Sequence, residues 1–280
     1  MDVLITGAAG TVGTAITDAL ANDDRYALTS LDREEHPDPD VASVIADATD
    51  YDDIRPHFDG VDAVVHLAYA PLDVGGPWDR TIEWLETHAA NLRMHANVIR
   101  AAVDAGVDSL VYASSNHAVG MYEVANAPDI YYPEFDLAVD RSAPPRPDSM
   151  YGTEKLYAEG LGRLAAEAHG LRFYALRIGA VHDPAHDHPY GDAEAGVEAG
   201  EFDRDSQAYR QQVARLKALW QSRRDFAHMV DRCLQDDTVA FDVFYGVSDN
   251  DRRWLDIDHA RAVLGYDPRD NGEEWDAPPG

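Results

Sequence analysis

The sequence predicts an α/β protein built on a doubly wound parallel sheet. Short apolar runs without internal proline alternate with longer helical patterns, which is the order expected when helices cover both faces of one sheet. The chain of 280 residues can bury a large core, and its hydrophobic fraction of 45% argues against disorder. The predicted strands are 2–6, 26–31, 43–46, 63–67, 109–113, 172–178 and 241–246, and the predicted helices are 12–21, 52–58, 81–105, 150–169 and 209–234.

The elements divide the chain into a larger and a smaller part. Residues 1–178 are predicted to form the sheet domain, and residues 179–280 a small C-terminal lobe that closes over the carboxyl edge of the sheet, where ligands bind in this architecture. The lobe is not expected to fold as a separate unit. Two stretches have the composition of loops: 126–148 is rich in Pro, Asp and Tyr, and 183–205 is rich in Gly, Asp and Glu. A loop as long as the second is either a lid or a disordered segment, and the sequence is compatible with both.

The charge of the chain is its most unusual bulk property. It carries 23 Lys and Arg against 52 Asp and Glu, a net charge of −29, and its only lysines are Lys155 and Lys217. Such a field repels nucleic acid and anionic membranes, so neither is a predicted partner. An acid-rich surface with little lysine suits a cytoplasm at molar salt, where self-repulsion is screened over about 3 Å. The sequence therefore predicts a halophilic protein, with an ordinary acidic protein as the alternative.

Compartment signals point to the cytoplasm. The first residues, MDVLITG, lack a basic region and are interpreted as a strand rather than a signal peptide. No apolar run approaches the roughly 20 residues that a membrane helix needs. Cys233 is the only cysteine, so an internal disulfide is excluded and a reducing compartment is expected. No metal site is predicted.

Residues 6–13, which read TGAAGTVG, are typical of a dinucleotide-binding turn in a Rossmann-type sheet. They lie between the first strand and the first helix, as this function requires. Gly7 permits the tight turn, Gly10 lets the backbone approach the pyrophosphate, and Gly13 allows close packing of helix and strand. The free N–H groups at the helix start, including those of Thr11 and Val12, would face the phosphates.

Two carboxylates extend this site and select the cofactor. Asp32 ends the second predicted strand, 19 residues after Gly13, where a carboxylate binds the adenosine ribose hydroxyls and repels a 2′-phosphate. NAD is therefore predicted over NADP, although the adjacent Arg33 would partly relax the preference. Asp47 follows the third strand and is predicted to meet the adenine amino group.

A tyrosine and a lysine form the predicted catalytic pair. Tyr151 and Lys155 lie one helical turn apart on one face of a predicted helix. A nearby ammonium favours the phenolate, so Tyr151 is expected to act as a general base near neutrality. Ser115, Asn116 and His117 follow the fifth strand, where the serine hydroxyl can orient a substrate oxygen and the other two can bind substrate hydroxyls. A capped strand end with a solvated histidine is the structural alternative.

These segments together resemble the extended short-chain dehydrogenase/reductase family over nearly the whole chain. The resemblance implies that Ser115 is the catalytic serine, that Lys155 also binds the nicotinamide ribose, and that Asn91 supports the site. It also implies that Ala48, Leu67 and Ala68 border the cofactor. The motifs that carry it are residues 6–13, Asp32, Asp47, His66-Leu67-Ala68, Asn91, Ser115 and the pair of Tyr151 with Lys155.

Three shorter segments resemble the sugar C1-dehydrogenase branch of that family, namely 114–120 (SSNHAVG), 177–179 (RIG) and 245–251 (YGVSDND). The branch includes haloarchaeal NAD-dependent glucose-6-phosphate dehydrogenases and bacterial uronate dehydrogenases. The resemblance implies that Ser115, Asn116 and His117 touch the sugar. It also implies that an arginine five residues before a tryptophan binds the substrate's anionic group, a spacing met by Arg215 and Trp220. Residues 214–232 are locally basic, which suits a phosphate or carboxylate, or else a helix face that pairs with the acidic surface.

The predicted function is NAD-dependent oxidation of a sugar at C1 to its lactone. Glucose 6-phosphate is the first candidate substrate, a hexuronate the second and a neutral pentose such as L-arabinose the third, so the expected partner is a small, anionic sugar. Two other functions remain open: a nucleotide-sugar epimerase or dehydratase that keeps NAD bound, and a non-catalytic NAD-sensing protein. The long predicted helices 81–105 and 150–169 can form a homodimer face.

Overall fold

The computed structural model describes residues 1–70, 82 and 86–279. Its centre is a seven-stranded parallel sheet with the strand order β3-β2-β1-β4-β5-β6-β7. The architecture confirms the predicted α/β class, and strand ends differ from the predicted ones by no more than two residues. The strands are β1 Asp2–Thr6, β2 Ala27–Asp32, β3 Ala42–Ile45, β4 Ala63–His66, β5 Ser109–Ser115, β6 Arg172–Ile178 and β7 Phe241–Gly246.

Helices cover both faces of this sheet. Those on one face include α1 and α8, which pack together, and those on the other include α3 and α5. The helices are α1 Thr11–Leu20, α2 Tyr51–Ile54, α3 Glu86–Ala105, α4 Met121–Asn126, α5 Met150–His169, α6 Gly191–Glu198, α7 Gln207–Leu219, α8 Arg223–Gln235 and α9 Asp258–Leu264. Short 3-10 turns lie at Arg55–Phe58, Asn116–Val119, Asp129–Tyr131, Pro133–Phe135 and Gly272–Glu274.

Two apolar layers hold the sheet between its helices. Along β1, Val3 and Ile5 point into the layer shared with α1 and α8, whereas Leu4 points into the layer shared with α3 and α5. Because both faces of the central strands are buried, their sequences are continuously apolar rather than alternating. This explains why short apolar runs were enough to locate the strands.

The strand order reverses beside β1, which has β2 on one side and β4 on the other. Thr6 pairs with His66 across β1 and β4, so the polar segments that follow both strands meet at one edge. In open parallel sheets, ligands bind in the crevice outside the carboxyl ends at such a point. A ligand site is therefore expected at the loops that follow β1, β4, β5 and β6.

The predicted helix 209–234 is wrong as a single element. The structure has α7 and α8 instead, because the chain leaves the helix at Trp220 to form a parallel bridge with Ala180 beyond β6. Ser222 then caps the new helix, its hydroxyl accepting from the Asp225 N–H at 3.1 Å. The bridge draws the end of α7 to the carboxyl edge of the sheet.

The loop predicted over 183–205 is also partly wrong, because it contains α6. Ala193 on α6 is fully buried, and Tyr190 and Tyr209 pack with it in a separate apolar cluster. The sequence of α6 has only a weak apolar pattern because the helix is short and needs few apolar side chains to pack on α7. The other predicted loop, 126–148, is largely irregular and contains two 3-10 turns.

Residues 81 and 83–85 of the predicted helix 81–105 lie outside the described residues, and the helix is described from Glu86. The division between a sheet domain and a C-terminal lobe at residue 178 stays a prediction. In the structure, β7 and α8 follow residue 178 in the sequence, yet β7 is a strand of the sheet and α8 is one of the helices that cover it. Within the described part of the chain, no helix has the length and apolar character needed to cross a bilayer.

Candidate active site

The turn after β1 has glycines where the backbone has no room for a side chain. Gly7 has φ of +77°, and a Cβ there would lie 2.6 Å from the Ala68 nitrogen. A Cβ on Gly13 would lie 2.4 Å from the Ala8 carbonyl oxygen. Both distances are far shorter than a carbon atom tolerates, so the turn needs glycine at these positions. A Cβ on Gly10 would meet only the Gly7 oxygen, at 3.5 Å, which leaves this side of the turn accessible to a ligand.

A groove of about 570 Å³ runs along this turn and the ends of β2 and β4. Its lining also contains Tyr69, Ala70 and Met94, which sequence reasoning did not single out. The predicted cofactor residues on the groove are Gly7, Gly10, Thr11, Val12, Gly13, Asp32, Arg33, Asp47, Ala48, Leu67 and Ala68. The structure thus gathers residues from five separate segments into one elongated site that fits a dinucleotide.

The two predicted carboxylates are held in place by backbone donors. Asp32 accepts from the Ala9 N–H at 3.1 Å and from the Arg33 N–H at 2.7 Å, one on each oxygen. A carboxylate has about four acceptor positions, so two remain for ribose hydroxyls. Asp47 accepts from the N–H and the hydroxyl of Thr49, and the backbone hydrogen bond chiefly holds the pKa of Asp47 below its usual value. Both positions suit NAD.

Asn91 does not line the groove, but it is hydrogen-bonded to Ala70, which does. Its side-chain amide exchanges two hydrogen bonds with the backbone of Ala70, at 2.9 and 3.1 Å. It also donates to Glu154 on α5, at 3.4 Å. Asn91 therefore ties the segment after β4 to the helix that carries Tyr151, in keeping with the supporting role implied by the family resemblance.

The predicted catalytic pair, Tyr151 and Lys155, lies in the first two turns of α5. Ser149 caps this helix by accepting from the Gly152 N–H at 3.2 Å. Lys155 is 3% exposed, and its Nζ donates to the Ala113 carbonyl of β5 at 2.9 Å. The same nitrogen lies 5.3 Å from the centre of the Tyr151 ring. Lys155 thus links α5 to β5 at the strand end that carries Ser115.

Burial dominates the protonation of this pair. It raises the pKa of Tyr151 to about 12, while the Ser115 hydroxyl opposes the shift and the charges of Glu154 and Asp148 add to it. Burial lowers the pKa of Lys155 to about 8, against the opposing charges of two glutamates. The sequence led us to expect a tyrosine pKa lowered by the ammonium. In the protein alone, desolvation outweighs that effect, so Tyr151 is a neutral phenol at neutral pH.

The predicted sugar-binding residues form a compact turn beside Tyr151. The Ser115 hydroxyl accepts from the His117 N–H at 3.2 Å and donates to Asn116 Oδ1 at 3.4 Å. Asn116 Nδ2 is buried and has no hydrogen-bond partner among the described residues. An unpaired buried donor is costly, so this amide is suited to a ligand oxygen. The His117 ring meets the Tyr151 ring edge-on, with 5.5 Å between centres.

Arg215 lies on α7 and is 9% exposed. Its Nε donates to Glu123 of α4 at 2.6 Å, and its Nη1 lies 3.7 Å from Asp192 of α6. Glu123 also accepts from the Tyr131 hydroxyl at 2.7 Å. Sequence reasoning missed Glu123 and Asp192, because α4, α6 and α7 are separate in the sequence and meet only in the fold.

Other residues of the basic segment 214–232 have structural partners. Arg223 donates to the Thr11 carbonyl at 2.9 Å and to the His182 carbonyl at 3.2 Å, and it pairs with Asp18. Arg223 therefore fastens the segment after β6 to the start of α1, next to the cofactor groove. The ion pair of Arg223 with Asp18 is of the kind expected if this basic helix face pairs with acidic side chains, which was the alternative to binding an anionic substrate.

Comparison with known proteins gives matches over most of the chain. The profile of the NAD dependent epimerase/dehydratase family matches residues 3–233. An NAD-dependent glucose-6-phosphate dehydrogenase of Haloferax volcanii is 37% identical and covers 98% of this chain and 95% of the relative. An L-arabinose 1-dehydrogenase (NAD(P)(+)) of the same organism is 36% identical, with 96% of each chain covered. A solved structure of a mutated uronate dehydrogenase superposes with a TM-score of 0.73 at 26% identity, covering 98% of this chain and 83% of that one.

Proposed function

The chain belongs to the NAD-dependent epimerase/dehydratase family, and from this premise we propose that it oxidises a cyclic sugar at C1 to the lactone with NAD. One observation carries the proposal. Tyr151, Lys155 and Ser115 converge at the carboxyl edge of the sheet, next to a groove whose glycines and carboxylates fit a dinucleotide. Relatives named as sugar 1-dehydrogenases or glucose-6-phosphate dehydrogenases cover almost the whole chain, which supports a sugar as substrate.

In this reaction the C1 carbon loses a hydride and its hydroxyl loses a proton, so a C=O bond forms. NAD, when bound, supplies the hydride acceptor and a positively charged ring. Tyr151 takes the hydroxyl proton, and Ser115 donates a hydrogen bond to the oxygen as negative charge develops on it. Lys155, held by the Ala113 carbonyl, stabilises the phenolate. Holding the sugar next to the cofactor provides the largest part of the rate enhancement.

For the substrate we retain glucose 6-phosphate as the first candidate and a hexuronate as the second. Arg215 is the residue expected to meet the anionic group, since its planar fork suits a phosphate or a carboxylate. A neutral sugar such as L-arabinose is favoured by a separate observation. Arg215 already contacts Glu123 and lies near Asp192, so an anionic substrate must compete with two carboxylates.

The two rival functions make different predictions. An epimerase or dehydratase would retain NAD through purification and give no net NADH. Dehydratases of the family usually have an Asp-Glu pair where this chain has Asn116 and His117, which speaks against that function. A non-catalytic NAD-sensing protein would not need the pair of Tyr151 and Lys155, which this chain keeps.

The deciding experiment is an NADH-production screen at high salt over glucose 6-phosphate, glucuronate, galacturonate and L-arabinose. We expect NADH with at least one of them and a loss of at least 100-fold in the Tyr151→Phe variant, which removes the general base. Tyr157→Phe is the matched control, because Tyr157 lies on the same helix with 40% of its surface exposed. The dehydrogenase proposal is abandoned if no sugar yields NADH, or if Tyr151→Phe keeps full activity.

We further propose a cytoplasmic homodimer that pairs α3 and α5 across the interface. Leu164 on α5 is exposed, although most of the large apolar side chains in the described part of the chain are buried. Light scattering in molar salt tests this, with a Leu164→Asp variant expected to favour the monomer. A wild-type protein that is monomeric at micromolar concentration contradicts it.

A further inference from the structure

The ammonium of Lys155 lies among three tyrosine rings. Its Nζ is 5.2 Å from the centre of the Tyr69 ring, 5.1 Å from that of Tyr112 and 5.3 Å from that of Tyr151. Among the described residues, the only acceptor of a hydrogen bond from this nitrogen is the Ala113 carbonyl, at 2.9 Å. An ammonium has three donors, so two of them have no protein oxygen. Aromatic faces within about 6 Å attract a cation and offset part of this loss.

The three rings differ in what else holds them. Tyr112 lies in β5, is 1% exposed, and has its hydroxyl 3.4 Å from the His95 Nε2. Tyr151 is the proposed general base. Tyr69 follows β4, lines the cofactor groove and meets the Tyr151 ring edge-on, with 5.1 Å between centres. Burial raises the pKa of Tyr69 and of Tyr112, so both rings stay neutral. Tyr69 therefore contacts both members of the catalytic pair without belonging to β5 or α5.

The backbone of Tyr69 is held on both sides. Before it, the Ala68 nitrogen lies only 2.6 Å from where a Cβ on Gly7 would be, so this approach requires glycine. After it, Ala70 exchanges two hydrogen bonds with the side chain of Asn91, at 2.9 and 3.1 Å. The Tyr69 hydroxyl is buried and makes no hydrogen bond of normal geometry with a described residue. The ring, rather than the hydroxyl, is thus the part of this side chain that is set against the pair.

The charged and titratable groups around Lys155 leave its own charge finely balanced. Glu154 and Glu159 on α5 favour the ammonium, yet burial is the larger effect and lowers the pKa of Lys155 to about 8. His66 of β4 and His95 of α3 also face Lys155, but burial chiefly lowers the pKa of both, so neither is charged near neutrality. A group that stabilises the cation therefore changes how much of Lys155 is charged at the pH of the reaction.

We propose that Tyr69 is a positioning residue that keeps Lys155 charged and close to Tyr151 by presenting its ring to the ammonium. This assignment rests on the proposed sugar oxidation, in which Lys155 stabilises the phenolate of Tyr151. Tyr69 acts through Lys155 and takes no proton itself. A phenylalanine should therefore serve equally well at this position, whereas an aliphatic side chain should not.

The charge of Lys155 is measured directly by NMR of protein labelled with ¹³C at the lysine Cε. The chain has only two lysines, so Lys155→Met assigns both signals and Lys217, whose Nζ donates to the Trp275 carbonyl, is the internal reference. We expect Tyr69→Leu to lower the pKa of Lys155 by about one pH unit, the scale of a desolvated cation–π contact, and Tyr69→Phe to leave it unchanged. An unchanged or raised pKa in Tyr69→Leu, or an equal fall in Tyr69→Phe, overturns the proposal.

The pH dependence of kcat tests whether this charge matters in the reaction. Lowering the pKa of Lys155 from about 8 to about 7 leaves roughly one-fifth as much ammonium at pH 8 but nearly all of it at pH 6. Tyr69→Leu should therefore lose about fivefold in kcat at pH 8 and much less at pH 6. Tyr69→Phe should keep the wild-type profile. A loss of the same size at both pH values is the mark of a merely structural role and contradicts the assignment.

Tyr157→Leu is the matched control, because Tyr157 lies on α5 with 40% of its surface exposed and is not one of the rings around Lys155. It should leave the pKa of Lys155 and the kcat profile unchanged. Thermal unfolding of each variant detects a loss of folding, and Tyr69→Met, which also lacks a ring, replaces the leucine variant if that one does not fold. If no sugar is oxidised at all, the proposed function fails, while the NMR titration still decides whether Tyr69 keeps Lys155 charged.

Discussion

Replacing Glu123 by glutamine tests whether the site takes an anionic sugar. Glu123 is the carboxylate that Arg215 contacts at 2.6 Å, and the two side chains are largely buried. Glutamine keeps the size and an acceptor oxygen but removes the negative charge. If a phosphate or carboxylate of the substrate must share Arg215 with Glu123, the variant should bind that substrate more tightly. A neutral sugar should be nearly indifferent to the change.

The size of the effect follows from the geometry. A phosphate on one edge of the guanidinium would lie about 7 Å from a carboxylate on another edge, and one pair of unit charges at that distance repels by about 2.4 kcal/mol at an effective dielectric of about 20. Molar salt screens part of this. A remaining effect of about 1.4 kcal/mol corresponds to a tenfold lower KM for glucose 6-phosphate.

The assay measures KM and kcat for glucose 6-phosphate and L-arabinose in parallel, at high salt. Glu134→Gln, an exposed change in the neighbouring 3-10 turn, is the control for net charge. Thermal unfolding shows whether Arg215 tolerates the loss of its partner, since Asp192 remains nearby. If glucose 6-phosphate is a substrate and its KM stays the same or rises in Glu123→Gln, the competition argument is wrong. A change of equal size for both sugars also contradicts it.

Four further predictions concern the proposed active site, the cofactor groove and the net charge of the chain. The kcat/KM of the enzyme should rise with pH above 7, and Glu154→Gln should move this rise to lower pH, because the charge of Glu154 helps to raise the pKa of Tyr151; a rise displaced to higher pH contradicts the reasoning. Gly13→Ala should lower the unfolding temperature and abolish NAD binding, because its Cβ would lie 2.4 Å from the Ala8 oxygen; calorimetry and NADH fluorescence measure both. Asp32→Ser should improve kcat/KM with NADP relative to NAD by at least tenfold, since the variant no longer repels a 2′-phosphate, and an unchanged ratio would remove Asp32 from cofactor selection. Dilution from molar to 0.1 M salt should lower the unfolding temperature, since the net charge of −29 is then poorly screened, and an unchanged temperature counts against salt adaptation.

Sequence reasoning located most features that depend on local pattern. Buried parallel strands are continuous apolar runs, so β1 and β4 to β7 were found from composition alone. The glycine turn was readable because it lies between β1 and α1 with a recognisable spacing, although only the contact of Gly13 with Ala8 is local, and that of Gly7 is with Ala68, after β4. The helix predicted over 150–169 has the same ends as α5, since Ser149 caps its start and Gly170 ends it in a left-handed conformation.

Features that depend on distant partners were not readable. Glu123 and Arg215 are 92 positions apart, and Arg223 and Thr11 are 212 positions apart. The break between α7 and α8 had a local signal in the capping Ser222, but the cause of the break is the pairing of Trp220 with Ala180 at the sheet edge. A spacing rule could select Arg215 as an arginine for an anion. It could not give the net charge around that arginine, which depends on α4 and α6.

The protonation of Tyr151 shows why the cofactor groove and the sugar turn have to act together. In the protein alone, burial raises the pKa of Tyr151 to about 12 and lowers that of Lys155 to about 8, so neither residue is ready to accept a proton at neutral pH. Asp148 and Glu154 both add negative charge near the phenol, which opposes its ionisation further. Before a sugar binds, Ser115 can donate its one hydroxyl proton to the phenolate, but one neutral hydrogen bond offsets only part of the desolvation. A positive charge in addition to that of Lys155 is therefore needed before Tyr151 can act as a base, and NAD, when bound, would supply one.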